Sequence, residues 1–171
     1  VVGQAVGAGR PDIAALAVRR TLGWSTAFMV ALGLSFVAFG PVMATIFGAT
    51  PEVIALAGVV LQLSALEHPL MSATMILSGA LRGAGDTRSP FWVVVWATFL
   101  FRFGAVYLFA ITLGWGLPGI WIGTAVDWGG RAIMLWVIFR RGAWRAIHAR
   151  ERALLDAEAA GELEMPQAAG G

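Results

Sequence analysis

Ten of the twelve basic residues of this chain, all arginines, fall into three clusters separated by long apolar runs. Arg10, Arg19 and Arg20 precede the first run, and Arg82 and Arg88 lie between the second and the third. Arg140, Arg141, Arg145, Arg150 and Arg152 follow the fourth. The two intervening turns, Gly48-Ala49-Thr50-Pro51-Glu52 and Gly114-Trp115-Gly116-Leu117-Pro118, carry no Lys or Arg. This is the positive-inside asymmetry of a polytopic membrane protein, with the N-terminal turn and the C-terminus cytoplasmic. The expected fold class is therefore all-α: a polytopic membrane helix bundle of four transmembrane helices, its first partner being the lipid bilayer.

Composition narrows the function classes. Charged residues make up 13% and hydrophobic ones 58%, whereas about a quarter of a soluble domain is charged. The excess of arginine over carboxylate does not point to nucleic acid, because the arginines flank apolar runs and build no continuous basic face. Without cysteine there is no disulfide and no thiolate metal site, and two histidines are too few for a metal centre. No cofactor is implied. The chain opens on Val1 to Arg10 with neither Met nor a signal-peptide pattern, which reads as a helix end and a cytoplasmic turn. It is expected to be the C-terminal piece of a longer protein.

The domain reading has three parts: 1–21, the end of a preceding helix with its turn; 22–141, the transmembrane region; and 142–171, a cytoplasmic helix with a disordered tail. The spans are expected at about 22–47, 53–81, 90–113 and 119–139, each at or above the roughly 20 residues a bilayer requires. Pro41 should kink the first span or end it early. Glu67-His68-Pro69 interrupts the second, and Pro69 should bend it. An amphipathic segment over 143–160 is expected to form a short helix, and 161–171 to be disordered.

Aromatic and small residues fill in the picture. Trp24, Trp92, Trp115, Trp121 and Trp144 lie near span ends, where indole rings sit among headgroups. Trp96, Trp128 and Trp136 are deeper and expected to pack against neighbouring helices. The pairs Gly79/Gly83 and Gly119/Gly123 have the spacing that lets two helix backbones approach. Gly7-Ala8-Gly9 and Gly83-Ala84-Gly85 form an internal echo, each followed by a proline and an outward helix. The chain thus reads as repeated helical hairpins with similar corners, and Gly7, Gly9, Gly83 and Gly85 are the candidate conformational corners.

Four positions put ionisable side chains at membrane depth: Glu67 with His68 beside it, Arg102, Asp127 and Arg131. An ionised side chain at mid-bilayer costs about 2.5–3.5 kcal/mol on insertion scales, so these groups must face protein or a wet cavity. Asp127 and Arg131, four apart, share a helix face and read as a structural ion pair. Arg102 needs a partner from another helix, and Glu67 is a candidate. Glu67, His68 and Arg102 are the candidate ion-coupling or substrate residues, since a bent helix beside a carboxylate and an imidazole could hold a proton, a cation or a polar substrate. The competing reading is a structural Glu67–Arg102 pair with His68 hydrogen-bonded in a helix interface.

Several motifs resemble one family. Val2-Gly3-Gln4-Ala5-Val6-Gly7-Ala8-Gly9-Arg10, the run Gly79 to Arg88 (GALRGAGDTR), Gly119-Ile120-Trp121-Ile122-Gly123, Asp127, Arg131 and Arg140-Arg141-Gly142-Ala143-Trp144 are similar in order and spacing to MATE (multidrug and toxic compound extrusion) efflux transporters. The resemblance covers 1–144. It implies helices 9–12 of a twelve-helix transporter, hence most of its C-terminal lobe, with the N-terminal lobe as a missing partner. It also implies antiport in the bacterial inner membrane: small cationic or amphiphilic drugs leave as H+ or Na+ enters. Some members carry a functional carboxylate in the tenth helix; Met71 stands at that level here, and Glu67 one turn earlier. The alternatives are a lipid-linked oligosaccharide flippase of the same superfamily or a non-transporting membrane subunit or remnant. An enzyme is not expected, because no second carboxylate or nucleophile gathers at the depth of Glu67.

Overall fold

The computed structural model describes residues 1–46, 50–145, 153–154 and 156–157. Among them it is helical, with no strand, and four helices are long and apolar enough to cross a bilayer. A short α1 (Val2–Gly7) leads into α2 (Pro11–Thr45) and α3 (Pro51–Gly83). The third spanning helix covers Arg88–Thr112. It is composite: α4 (Arg88–Ala97), a π-helical segment Thr98–Phe103, one turn of α5 (Gly104–Val106) and a second π-helical segment Tyr107–Thr112. The fourth is α6 (Gly116–Arg141). Most of the expected amphipathic segment over 143–160, and all of the tail, lie outside the described residues.

Chain chemistry explains the helix limits. Pro11 and Pro51 open α2 and α3, where a missing N–H costs nothing and φ is already helical. Asp12 and Glu52 sit in first turns, and Arg82, Arg140 and Arg141 in last turns, each complementing the helix dipole. The two Gly-Ala-Gly corners share one geometry. Gly9 and Gly85 take φ of 73° and 88°, a region open chiefly to glycine. Gly9 N–H bonds to Val6 C=O and Arg10 N–H to Ala5 C=O, just as Gly85 bonds to Arg82 and Asp86 to Leu81. These are two copies of a Schellman stop. Gly7 and Gly83 are instead the last residues of their helices.

In space the order is α2, α3, α6 and then the composite third helix, so α3 packs on α6 rather than along the helix that follows it. Two hairpins, α2/α3 and the third helix/α6, meet at the α3–α6 seam. The densest core lies at the arginine-rich end, where Val6, Ala14, Val18, Leu77, Leu81 and Leu135 cluster with Phe139 and Trp144.

α2 and α3 run without interruption through Pro41 and Pro69, and α2 ends four residues after Pro41. Each proline leaves the carbonyl four residues back without its helical donor. Gln62 Nε2 donates to the freed Val37 carbonyl at 3.1 Å. The freed Ala65 carbonyl lies against Gly33, where a Cβ would stand only 3.1 Å from the oxygen. A neighbouring helix thus supplies a donor at the first defect, as a bilayer interior demands, and packs closely over the second.

Three packing expectations change. Trp144 is not a headgroup anchor: it is 1% exposed, stacks on Phe139 at 5.3 Å, and donates from Nε1 to the Phe139 carbonyl. Trp96 is 61% exposed, so most of its ring is not covered by the described helices. At the glycine pairs, a Cβ on Gly119 or Gly123 would fall 2.7 Å from the Phe109 carbonyl or 2.8 Å from Val106 N, whereas one on Gly79 would meet nothing within 4 Å. The close approach at the α3 end is instead Gly83 against Gly3 of α1.

Candidate functional site

Asp127 is fully buried at the middle of α6 and is held from two sides. Arg131, one turn on, donates from Nε to Oδ1 at 2.8 Å, and Arg102 of the third helix donates from Nε to Oδ2 at 2.8 Å. Arg131 also donates from Nη2 to Thr98 Oγ1 at 2.8 Å. Thr98 and Arg102 both belong to the first π-helical segment, so that segment is fastened to α6 at two points. The Trp128 ring faces both guanidinium carbons, at 5.9 Å from Arg102 and 5.5 Å from Arg131. Such contacts gain strength where water is absent.

Glu67 is not Arg102's partner. Its Oε1 accepts from the Thr124 hydroxyl of α6, which also lies 2.9 Å from the Trp121 carbonyl. Among the described residues Glu67 makes no ion pair. His68 places Nδ1 at 2.6 Å from the Ser64 carbonyl; a carbonyl only accepts, so Nδ1 carries the proton. The imidazole meets Phe36 of α2 edge-on at 5.3 Å, and among the described residues Nε2 has no hydrogen-bond partner. The four charged groups are two carboxylates and two guanidiniums, but both guanidiniums sit on one carboxylate.

An apolar groove of about 650 Å³ runs beside Pro69, between Gly33 and Val37 of α2, Ala65 of α3 and Ala125 of α6. That volume lies in the range of small-molecule sites. Among the described residues no cluster of His, Asp and Glu could hold a metal ion.

Sequence reasoning passed over Thr98 and Thr124, and gave Trp128 a packing role without its link to the two arginines. Their signal was helical spacing: Thr98 precedes Arg102 by four, Thr124 precedes Asp127 by three, and Trp128 lies three before Arg131. A hydroxyl or indole on the same face as a membrane charge is a candidate partner for it.

Four helices long and apolar enough to span a bilayer, two of them joined by an ion cluster centred on buried Asp127, define a multi-pass membrane protein, and comparison with known proteins identifies its kind. The model of the MatE family matches residues 1–108. Over 144 residues the chain is 27% identical to the uncharacterized transporter YisQ of Bacillus subtilis, covering 84% of this chain and 32% of the relative. It is 27% identical to a probable multidrug resistance protein NorM of Thermotoga maritima, covering 89% and 33%. It is 30% identical to multidrug resistance protein MdtK of Yersinia enterocolitica, covering 78% and 30%. This chain belongs to the MatE family of transporters. It spans about a third of the length of these relatives.

Proposed function

We propose that this chain is part of a secondary active antiporter that exports cationic or amphiphilic compounds in exchange for H+ or Na+, working against a second lobe across the bacterial inner membrane. The observation that carries the proposal is the unequal state of the two mid-membrane carboxylates. Each oxygen of Asp127 is held by an arginine, whereas among the described residues Glu67 holds the Thr124 hydroxyl and no cation. A carboxylate free of fixed cations is the one that can exchange a proton, a sodium ion or a cationic substrate, and intramembrane carboxylates mark such pathways. His68 Nε2 offers a second proton acceptor one residue away. The groove beside Pro69 suits the apolar body of an amphiphile, and the names of the NorM and MdtK relatives agree with drug export. Asp127 with Arg131 then serves structure, and the glycine corners serve as joints when the lobes rock.

The test is efflux of a cationic dye from inverted vesicles holding the full-length transporter, under an imposed pH gradient and then a sodium gradient. Movement driven by one of them establishes antiport and names the ion. No movement under either, with folded protein present, rejects the proposal in favour of a lipid-linked substrate. This chain contributes no cysteine of its own, so in a full-length background with any other cysteines replaced, accessibility of Ser89→Cys and Leu113→Cys to an impermeant thiol reagent reads orientation. Labelling of Ser89→Cys only from the cytoplasmic face is the expected result.

A further inference from the structure

Arg19 of α2, Arg140 of α6 and Arg145 just beyond it line one cavity of about 210 Å³. Ordinary helix geometry brings two of them there: Arg19 projects from α2 one turn past Ala15, and Arg140 lies one turn past Trp136, with Ala15 and Trp136 in the same lining. The third depends on a reversal. Gly142 takes φ of 73° after the last turn of α6, and Arg145 N–H bonds back to the Gly142 carbonyl at 2.9 Å. Trp144, buried against Phe139, fixes that returning turn. Aromatic faces hold two of the guanidiniums, Arg140 at 6.0 Å from the Trp136 ring and Arg145 at 5.2 Å from Trp144. Among the described residues none of the three arginines pairs with a carboxylate. All three are exposed, so water screens their mutual repulsion in part, and an anion set among them would relieve the rest.

A second, apolar cavity lies next to it on the membrane side. Trp136 is shared with an apolar groove that runs down α2 past Leu22 and Thr26 and down α6 past Ile133 and Gly129. A cationic head pocket beside an apolar groove, with one indole as their common wall, matches the two parts of a phospholipid. Liquid water takes about 30 Å³ per molecule, so the pocket is large enough for a hydrated phosphate group. Basic pockets between transmembrane helices are known to take anionic headgroups.

We propose that this site binds an anionic phospholipid, its phosphodiester held by Arg19, Arg140 and Arg145 and one acyl chain lying along the groove below Trp136. The same phosphate chemistry could come from free phosphate; the groove favours the lipid.

The test is native mass spectrometry of the full-length protein released from micelles with equal phosphatidylglycerol and phosphatidylcholine, reading the ratio of retained lipids. The wild type should keep phosphatidylglycerol preferentially. Arg19→Gln/Arg140→Gln/Arg145→Gln should lower that preference more than tenfold, at roughly five-fold per guanidinium near a membrane surface. Arg20→Gln/Arg88→Gln/Arg141→Gln removes equal charge from the same end outside the pocket and should lower it far less. Equal losses in both triples, or retention in the pocket triple, overturn the site. If the pocket triple does not fold, Arg145→Gln alone should lose about five-fold, and no loss there overturns it. Gly129→Leu fills the groove and should weaken lipid retention while the arginines stay intact. Displacement of the lipid by millimolar inorganic phosphate, with Gly129→Leu without effect, overturns the lipid assignment in favour of a free anion.

Discussion

Arg102 stands 2.8 Å from Asp127, Nε to Oδ2, and this contact ties the composite third helix to α6. Because Arg131 already holds the other oxygen, both oxygens of Asp127 are engaged by fixed guanidiniums. That relationship separates the two acidic residues of the membrane interior into a structural and a functional candidate, and it orders the consequences of mutating them.

Asp127→Asn leaves two guanidiniums facing each other without a counter-ion. Removing one partner of a buried ion pair costs about 3–5 kcal/mol, so this variant should unfold earlier in detergent and reach the membrane in smaller amount. Glu67→Gln keeps an acceptor for Thr124 and should unfold like the parent, yet lose most coupled dye efflux. Equal efflux losses at matched amounts of folded protein would return Glu67 to a structural role.

Gly123→Ala and Gly79→Ala should behave oppositely although both lie in spanning helices. At Gly123 the new methyl meets the backbone of Val106, which cannot turn aside, so the helices must part; overpacking of this kind costs about 1–3 kcal/mol. At Gly79 the methyl meets open space, and the gain in helix propensity is up to about 1 kcal/mol. Thermal unfolding of both variants in one detergent checks this, and a common sign for the two would contradict the packing described.

What could be read from the chain depended on how local the cause was. The four spanning helices follow from the roughly 20 apolar residues a bilayer requires, and the Schellman stops follow from the φ that Gly9 and Gly85 alone can supply. The 2.8 Å contact of Asp127 with Arg131 is a matter of spacing within one helix. The partner of Arg102 is different in kind. It depends on α6, and not α3, lying beside the third helix, and on a π-helical segment that sets where residue 102 points. Apolar runs of similar composition carry no label for their neighbours. Trp144 was misplaced for a related reason: proximity to a span end says headgroup, but Gly142 turns the chain back and buries the ring.

Gln62 and Pro41 should be energetically coupled. Gln62→Leu strips the Val37 carbonyl of its substitute donor, a loss of about 1 kcal/mol by the usual worth of a hydrogen bond. Pro41→Ala restores a main-chain N–H to the same carbonyl, so Gln62→Leu should cost much less in that background. A double-mutant cycle by denaturant titration measures the difference, and strict additivity would show that Gln62 is not covering the proline defect.

Trp144→Ala should be among the most damaging changes at the arginine-rich end. The ring fills the core beside Phe139 and satisfies a main-chain carbonyl, and removing a buried large aromatic costs about 3–5 kcal/mol. Trp144→Phe keeps the stack and gives up only the indole N–H, a loss of about 1 kcal/mol, because Gly142 N–H still donates to the Phe139 carbonyl at 3.2 Å. Unfolding midpoints should therefore fall in the order parent, Phe, Ala. An alanine variant as stable as the parent would mean that the chain after Gly142 is not anchored on α6, and the pocket that depends on Arg145 would lose its third arginine.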